Sequence, residues 1–104
     1  MNQSPDNPAG WRSRRALDDH FRRHRHEFTG MRSVADYDAS ARATIRVGKR
    51  FTYRDPDTGE PRVGYFAMGS GKLTILQQDE AVILSHFIPG GGRQYVRSLP
   101  ESTY

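Results

Sequence analysis

Cysteine is absent from the chain, which excludes disulfide frameworks, thiolate-bound zinc and thiol nucleophiles and leaves histidine to carry any nitrogen chemistry. No apolar run approaches the roughly 20 residues that span a bilayer, and the opening "MNQSPDNPAGW" lacks the apolar centre of a signal peptide, so no membrane role is expected. Hydrophobic residues make up only 35% of the 104, but five Phe, five Tyr and one Trp supply enough ring mass for one modest core. Acidic charge is also short, and the shortage is local. Residues 11–32 hold seven Arg against Asp18, Asp19 and Glu27, a net +4, whereas residues 33–104 hold nine Lys or Arg against eight acids, a net +1. A positive face concentrated in one segment suits a polyanionic partner, because phosphate contacts supply most nonspecific nucleic-acid affinity.

Residues 1–10, with Pro5, Pro8 and Gly10, read as a flexible leader or linker, and residues 11–104 as a single domain. From Trp11 to Phe28 the period is helical: Leu17, Phe21, His24 and Phe28 form one stripe, with His20 at its edge and His26 on the opposite side. Asp18 with Arg22 and Asp19 with Arg23 stand at the i, i+4 spacing of supporting ion pairs. "TG" at 29–30 ends this helix. Ser33 and Asp36 predict the start of a second helix, whose apolar face is Val34, Tyr37, Ala41 and Ile45. Beyond Gly48 the pattern turns to alternation between turn signals, giving strands at "KRFTYR", "RVGYFAM", "KLTILQ" and "AVILSHFIP" and a final extended piece, "RQYVRSL". Helices followed by a meander predict an α+β fold, two N-terminal helices packed on a four- to five-stranded antiparallel sheet.

Two of the four histidines, His24 and His86, fall in apolar settings. An imidazole there either bonds an internal partner or faces a crevice, because a buried unsatisfied polar group costs about 1–3 kcal/mol. If a helix crossing the sheet brings the two to one cleft, they form an acid–base pair suited to phosphodiester cleavage. Metal binding is the competing reading: His20 and His24 share one side of a helix, and Glu27 or His86 is available as a third ligand, although the general-base Glu of "HExxH" is missing. "GSGK" at 69–72 lacks the "GxxxxGK[ST]" frame of a phosphate loop and reads as a hairpin turn. Lys72 and Thr74 beyond it are candidates to stabilise charge on phosphorus, and Arg62, Tyr65 and Tyr95 to grip phosphate or stack on a base.

Taken together, "LDDHFRRHRHEF", Tyr37 and Ala41, "DPDTGEPRVGYF", "GKLTIL" and "AVILSHFIP" resemble the C-terminal ribonuclease toxin domains of bacterial polymorphic and contact-dependent toxins, within the barnase, EndoU, colicin D and RelE-like superfamily. The resemblance spans residues 16–89. His20, Phe21, His24 and Phe28 match the helical motif, Gly71 and Thr74 the hairpin and its strand, and Ser85–Phe87 the last strand. Arg25 stands where such domains often carry Gly, and Ser85 where they carry Thr. The resemblance implies metal-independent RNA cleavage with no cofactor, by attack of the 2′-hydroxyl on the adjacent phosphorus. His24 and His86 would be base and acid, with His20, Lys72 and Thr74 in support and Arg22, Arg23, Arg25, Arg62 and Tyr65 on the RNA. It also implies a monomer that meets an acidic immunity protein and acts on RNA, tRNA included, in the bacterial cytoplasm after delivery within a larger secreted protein. A noncatalytic RNA-binding or protein-interaction module and a histidine-ligated metalloenzyme are the alternatives to be separated from it.

Overall fold

The computed structural model describes residues 8–104. Most of the expected leader, residues 1–7, lies outside the described residues, but the end of that segment is structured. Ala9 is buried, and Gly10–Trp11 form a short strand, β1. Helix α1 (Arg14–His24) begins at Ser13, whose hydroxyl accepts from the Ala16 N–H and so satisfies one of the amides a helix start leaves open. The helix is shorter than the apolar stripe suggests: at Arg25–Glu27 it tightens into a 3₁₀ turn, and Gly30, at φ 74°, reverses the chain. The ion pairs on α1 also differ from those expected, joining Arg14 to Asp18 and Arg22 to Asp19. Helix α2 (Val34–Val47) starts where expected, with Ser33 accepting from the Asp36 N–H, and it buries Tyr37, Ala41 and Thr44.

Strands β2 (Lys49–Arg54), β3 (Pro61–Ala67), β4 (Lys72–Gln77) and β5 (Val82–Phe87) form the antiparallel meander. The β2–β3 turn is held by Asp55, whose carboxylate accepts from the backbone amides of Asp57 and Thr58. The sheet order is β1-β5-β4-β3-β2, with β1 parallel to β5, so the α+β sheet is mixed at one edge. That strand was missed because two residues are too few to show a period. The C-terminal segment differs from expectation too: Arg93–Ser98 form a helix, α3, instead of an extended strand.

The sheet is buried on both faces. Phe51, Tyr53, Phe66 and Leu73 pack against Val96 and Leu99 of and beyond α3, while Leu76 and Ile83 on the other face meet Ala9 and Ile45 of α2. A bulge between Ile75 and Leu76 and their partners lets Ser85 pair with Ile75 and Ile83 with Leu76. Strict alternation in β5 is therefore broken, and Ile83 and His86, which simple alternation assigns to opposite faces, are both fully buried. Both sheet edges are covered. Thr103 and Pro100 bond the backbone of Thr52 and Arg54 on β2, and Arg42 of α2 reaches the Ala9 carbonyl beside β1 while its neighbour Asp38 accepts from the Trp11 indole. Among the described residues no helix is long and apolar enough to cross a membrane.

Gly64 shows how tightly the α3 face is filled. It pairs with Phe51 across β2–β3, and a Cβ at this position would stand 2.5 Å from the Phe51 ring. Gly64→Ala should therefore destabilise the fold by about 1–3 kcal/mol, measured by urea denaturation. The double change Gly64→Ala/Phe51→Leu should recover part of the loss, and additive losses would contradict this packing.

Candidate functional site

His86 sits at the centre of the α2–sheet contact and is fully buried. Its Nδ1 lies 2.9 Å from Thr74 Oγ1 and 3.1 Å from the Leu73 carbonyl, and its Nε2 lies 2.9 Å from Ser40 Oγ. A carbonyl only accepts, and Thr74 spends its one proton on the Ala41 carbonyl at 3.0 Å, so Nδ1 carries the hydrogen and Nε2 accepts from Ser40. Every partner is thus satisfied by a neutral ring. Burial drives the His86 pKa down to about 4, with the charge of Lys72 pushing the same way and the Leu73 carbonyl opposing. Phe28 stacks on the ring at 5.0 Å, and the Tyr37 hydroxyl donates to the His86 carbonyl.

His24 occupies a different environment. Its Nδ1 is 2.7 Å from Glu27 Oε2, and Glu27 Oε1 accepts from the Ile88 N–H at 2.9 Å, which ties the end of α1 to the end of β5. Burial pushes the Glu27 carboxyl up, but hydrogen bonds from His24 and from Ile88 outweigh it, and the net shift is downward. An ionised Glu27 fixes the hydrogen of His24 on Nδ1 and leaves Nε2 as a lone pair. That nitrogen bonds nothing else among the described residues, and the side chain is 17% exposed. The 3₁₀ turn makes this dyad possible, because it brings Glu27 back beneath His24. His24 also belongs to a column of rings, 5.9 Å from His20 and 5.6 Å from Phe87, with Trp11 5.6 Å from His20 at the other end. The Nδ1 of His20 is buried without a hydrogen-bond partner among the described residues, and burial, Arg23 and His24 lower its pKa.

The residues singled out in the sequence are thus only partly brought together. His20 and His24 stack on one another near Phe87, and the charge of His24 is felt by His86, but His86 and Thr74 belong to the core and do not line an open cleft. Lys72 is half-buried with its ammonium 5.7 Å over the Phe28 ring. Arg22 is paired with Asp19, Arg25 lies over the Phe21 ring, and Arg23, Arg12, Arg15 and Arg32 are exposed and have no ion-pair partner among the described residues. His26 is exposed. Tyr65 donates to Glu80 on β4–β5 turn, and Arg62 pairs with Glu60; both lie on β3, two strands from β5. In the sequence Glu27 enters only as a candidate metal ligand beside His20 and His24, not as the hydrogen-bond partner of His24, and Ser40 does not enter at all. The i, i+3 spacing of His24 and Glu27 was the available signal, whereas nothing local marks Ser40. No group of three or more His, Asp or Glu among the described residues is arranged to hold a metal ion.

Compared with known proteins, the chain matches no protein-family model, no curated protein and no solved structure. Function is therefore argued from the site itself.

The neutral His86 has a consequence for stability. Its folded pKa lies below the unfolded value of 6.5, so the unfolded chain binds more protons between the two values. Stability should be fully present above pH 6.5 and fall by roughly 3 kcal/mol as pH drops toward 4, with His20 contributing in the same direction. His86→Gln should flatten that slope in chemical denaturation while lowering stability at pH 7 by about 1–3 kcal/mol. An unchanged slope would remove His86 as its source.

Proposed function

We propose that the chain is a metal-independent endoribonuclease of the toxin type, with His24 as its acid–base residue. The observation that supports this best is the His24–Glu27 dyad: a carboxylate holds one imidazole nitrogen protonated and leaves the other without a partner among the described residues, at the end of the helix that carries the exposed Arg15 and Arg23. In this reading the 2′-hydroxyl proton passes to His24 Nε2, the O2′–P bond forms, the P–O5′ bond breaks, and O5′ takes its proton from a water whose hydroxide is neutralised by the imidazolium, which returns His24 to its neutral form. The products are a 2′,3′-cyclic phosphate and a 5′-hydroxyl. Glu27 is a positioning residue that keeps the ring in the base-ready tautomer and stabilises the imidazolium formed. His86 is given no proton-transfer role, since its ring is sealed in the core with both nitrogens bonded. The exposed Arg12, Arg15, Arg23 and Arg32 would guide the strand by charge, and the same charge would draw an acidic immunity partner.

Incubation of the purified protein with RNA in EDTA should yield 2′,3′-cyclic phosphate ends, with the rate falling as salt rises. His24→Ala should lower the rate by about 100-fold or more and Glu27→Gln by about 10-fold, with the fold retained by circular dichroism. Intact RNA with the wild-type chain, or cleavage by His24→Ala at the wild-type rate, would refute the reading.

A further inference from the structure

Trp11 of β1, His20 and His24 of α1 and Phe87 of β5 stand in one column of rings, which forms a seam between α1 and the β1–β5 edge of the sheet. His20 lies inside the column, 5.6 Å from Trp11 and 5.9 Å from His24, nearly parallel to the latter at 18°. Its Nδ1 is buried with no hydrogen-bond partner among the described residues. A neutral ring fits that position, because with its hydrogen on Nε2 it buries only a lone pair. An imidazolium does not fit: both nitrogens then carry hydrogen, and Nδ1–H becomes a charged donor sealed away from any acceptor.

The charges around the ring point the same way. On α1, Arg23 and His24 oppose a charge on His20, and Asp19, which favours it, is already paired with Arg22. From β1 the ring meets Trp11, whose indole is committed to Asp38 of α2, and Asp38 in turn holds Arg42. From β5 the column ends on the uncharged Phe87. His24 is placed differently, since Glu27 lies 2.7 Å from its Nδ1 and balances a positive ring. His24 therefore accepts a proton where it stands, and His20 does not. Burial is the largest influence holding the His20 pKa below 6.5, so the seated ring is fully favoured above that pH and loses ground as pH falls below it. The helix is the element that can yield, because none of its residues is fully buried and Phe21 meets Tyr37 of α2 only edge-on, at 5.9 Å.

We propose that His20 is an acid-triggered latch, whose protonation expels the ring from between Trp11 and His24 and frees α1 from the β1–β5 edge while the rest of the fold stays intact. The device is independent of the ribonuclease reading. His86 keeps the contact of α2 with the sheet in place throughout, since its ring stays neutral until pH falls to about 4.

Trp11 is the one tryptophan of the chain, so its fluorescence reports the latch directly. As pH is lowered from about 7.5 to about 5, emission of the full chain should change in one sigmoidal step, with the midpoint at which the His20 ring titrates in ¹H–¹⁵N spectra. Over the same range, hydrogen exchange of the α1 amides should speed up about 10-fold or more beyond the intrinsic pH effect, while β3 and β4 amides stay protected. His20→Phe, which keeps a ring in the column but cannot be protonated, should abolish the step and leave α1 protected, and His24→Phe should retain it. Flat Trp11 emission, a step that survives in His20→Phe, or protonation of His20 with the α1 amides as protected as before would overturn the proposal whether or not the protein cleaves RNA.

Discussion

The architecture depends on the hydrogen-bonded set around His86. One neutral imidazole accepts from Ser40 of α2 and donates toward Thr74 and Leu73 of β4, while Thr74 itself donates to the Ala41 carbonyl of α2. Helix and sheet are joined there by directional bonds inside an otherwise apolar layer, where leaving any member unpaired costs its full desolvation. With the Tyr37 hydroxyl on the His86 carbonyl and the Asp38 and Arg42 contacts at β1, this set fixes how α2 sits on the sheet. Tyr37, bonding the His86 carbonyl and packing against Phe28 and Trp11, extends the same fixed geometry toward α1.

From that anchor the position of the candidate site follows. Phe28 stacks on His86, which fixes the 3₁₀ turn directly before it, and the turn presents Glu27 to both His24 and the Ile88 amide. Two imidazoles a short way apart thus do opposite things. His86 is a structural group held neutral by burial, and His24 is a group whose outward nitrogen is kept available by a carboxylate behind it. Arg22, Arg23 and Arg25, next to His24 in the sequence, are exposed.

Much of the fold was legible where a local signal is strong. The Ser33 cap, the Tyr37 and Ala41 face of α2 and the four meander strands all rest on periods or capping chemistry that act within a few residues. The β1 strand and the α3 helix were not, because two residues show no period and Arg93–Ser98 is held by packing of Val96 into the core, a tertiary effect. For the site, the apolar surroundings of His24 and His86 were visible, but the same pattern describes a ring lining a crevice and a ring closed inside the core. Only the positions of Ser40 and Thr74, 46 and 12 residues from His86, separate the two cases. The bulge in β5 had the same character: one extra residue changes which side chains share a face, and no residue type in "AVILSHFIP" announces it.

The central claim is the division of labour between the two imidazoles, and long-range ¹H–¹⁵N correlation of the histidine rings as a function of pH tests it most directly. His86 should show the Nδ1–H tautomer and stay neutral until pH falls to about 4. The neutral His24 ring should show its hydrogen on Nδ1, the nitrogen bonded to Glu27. A His86 ring that titrates like a solvent-exposed imidazole, or a neutral His24 protonated on Nε2, would contradict the account.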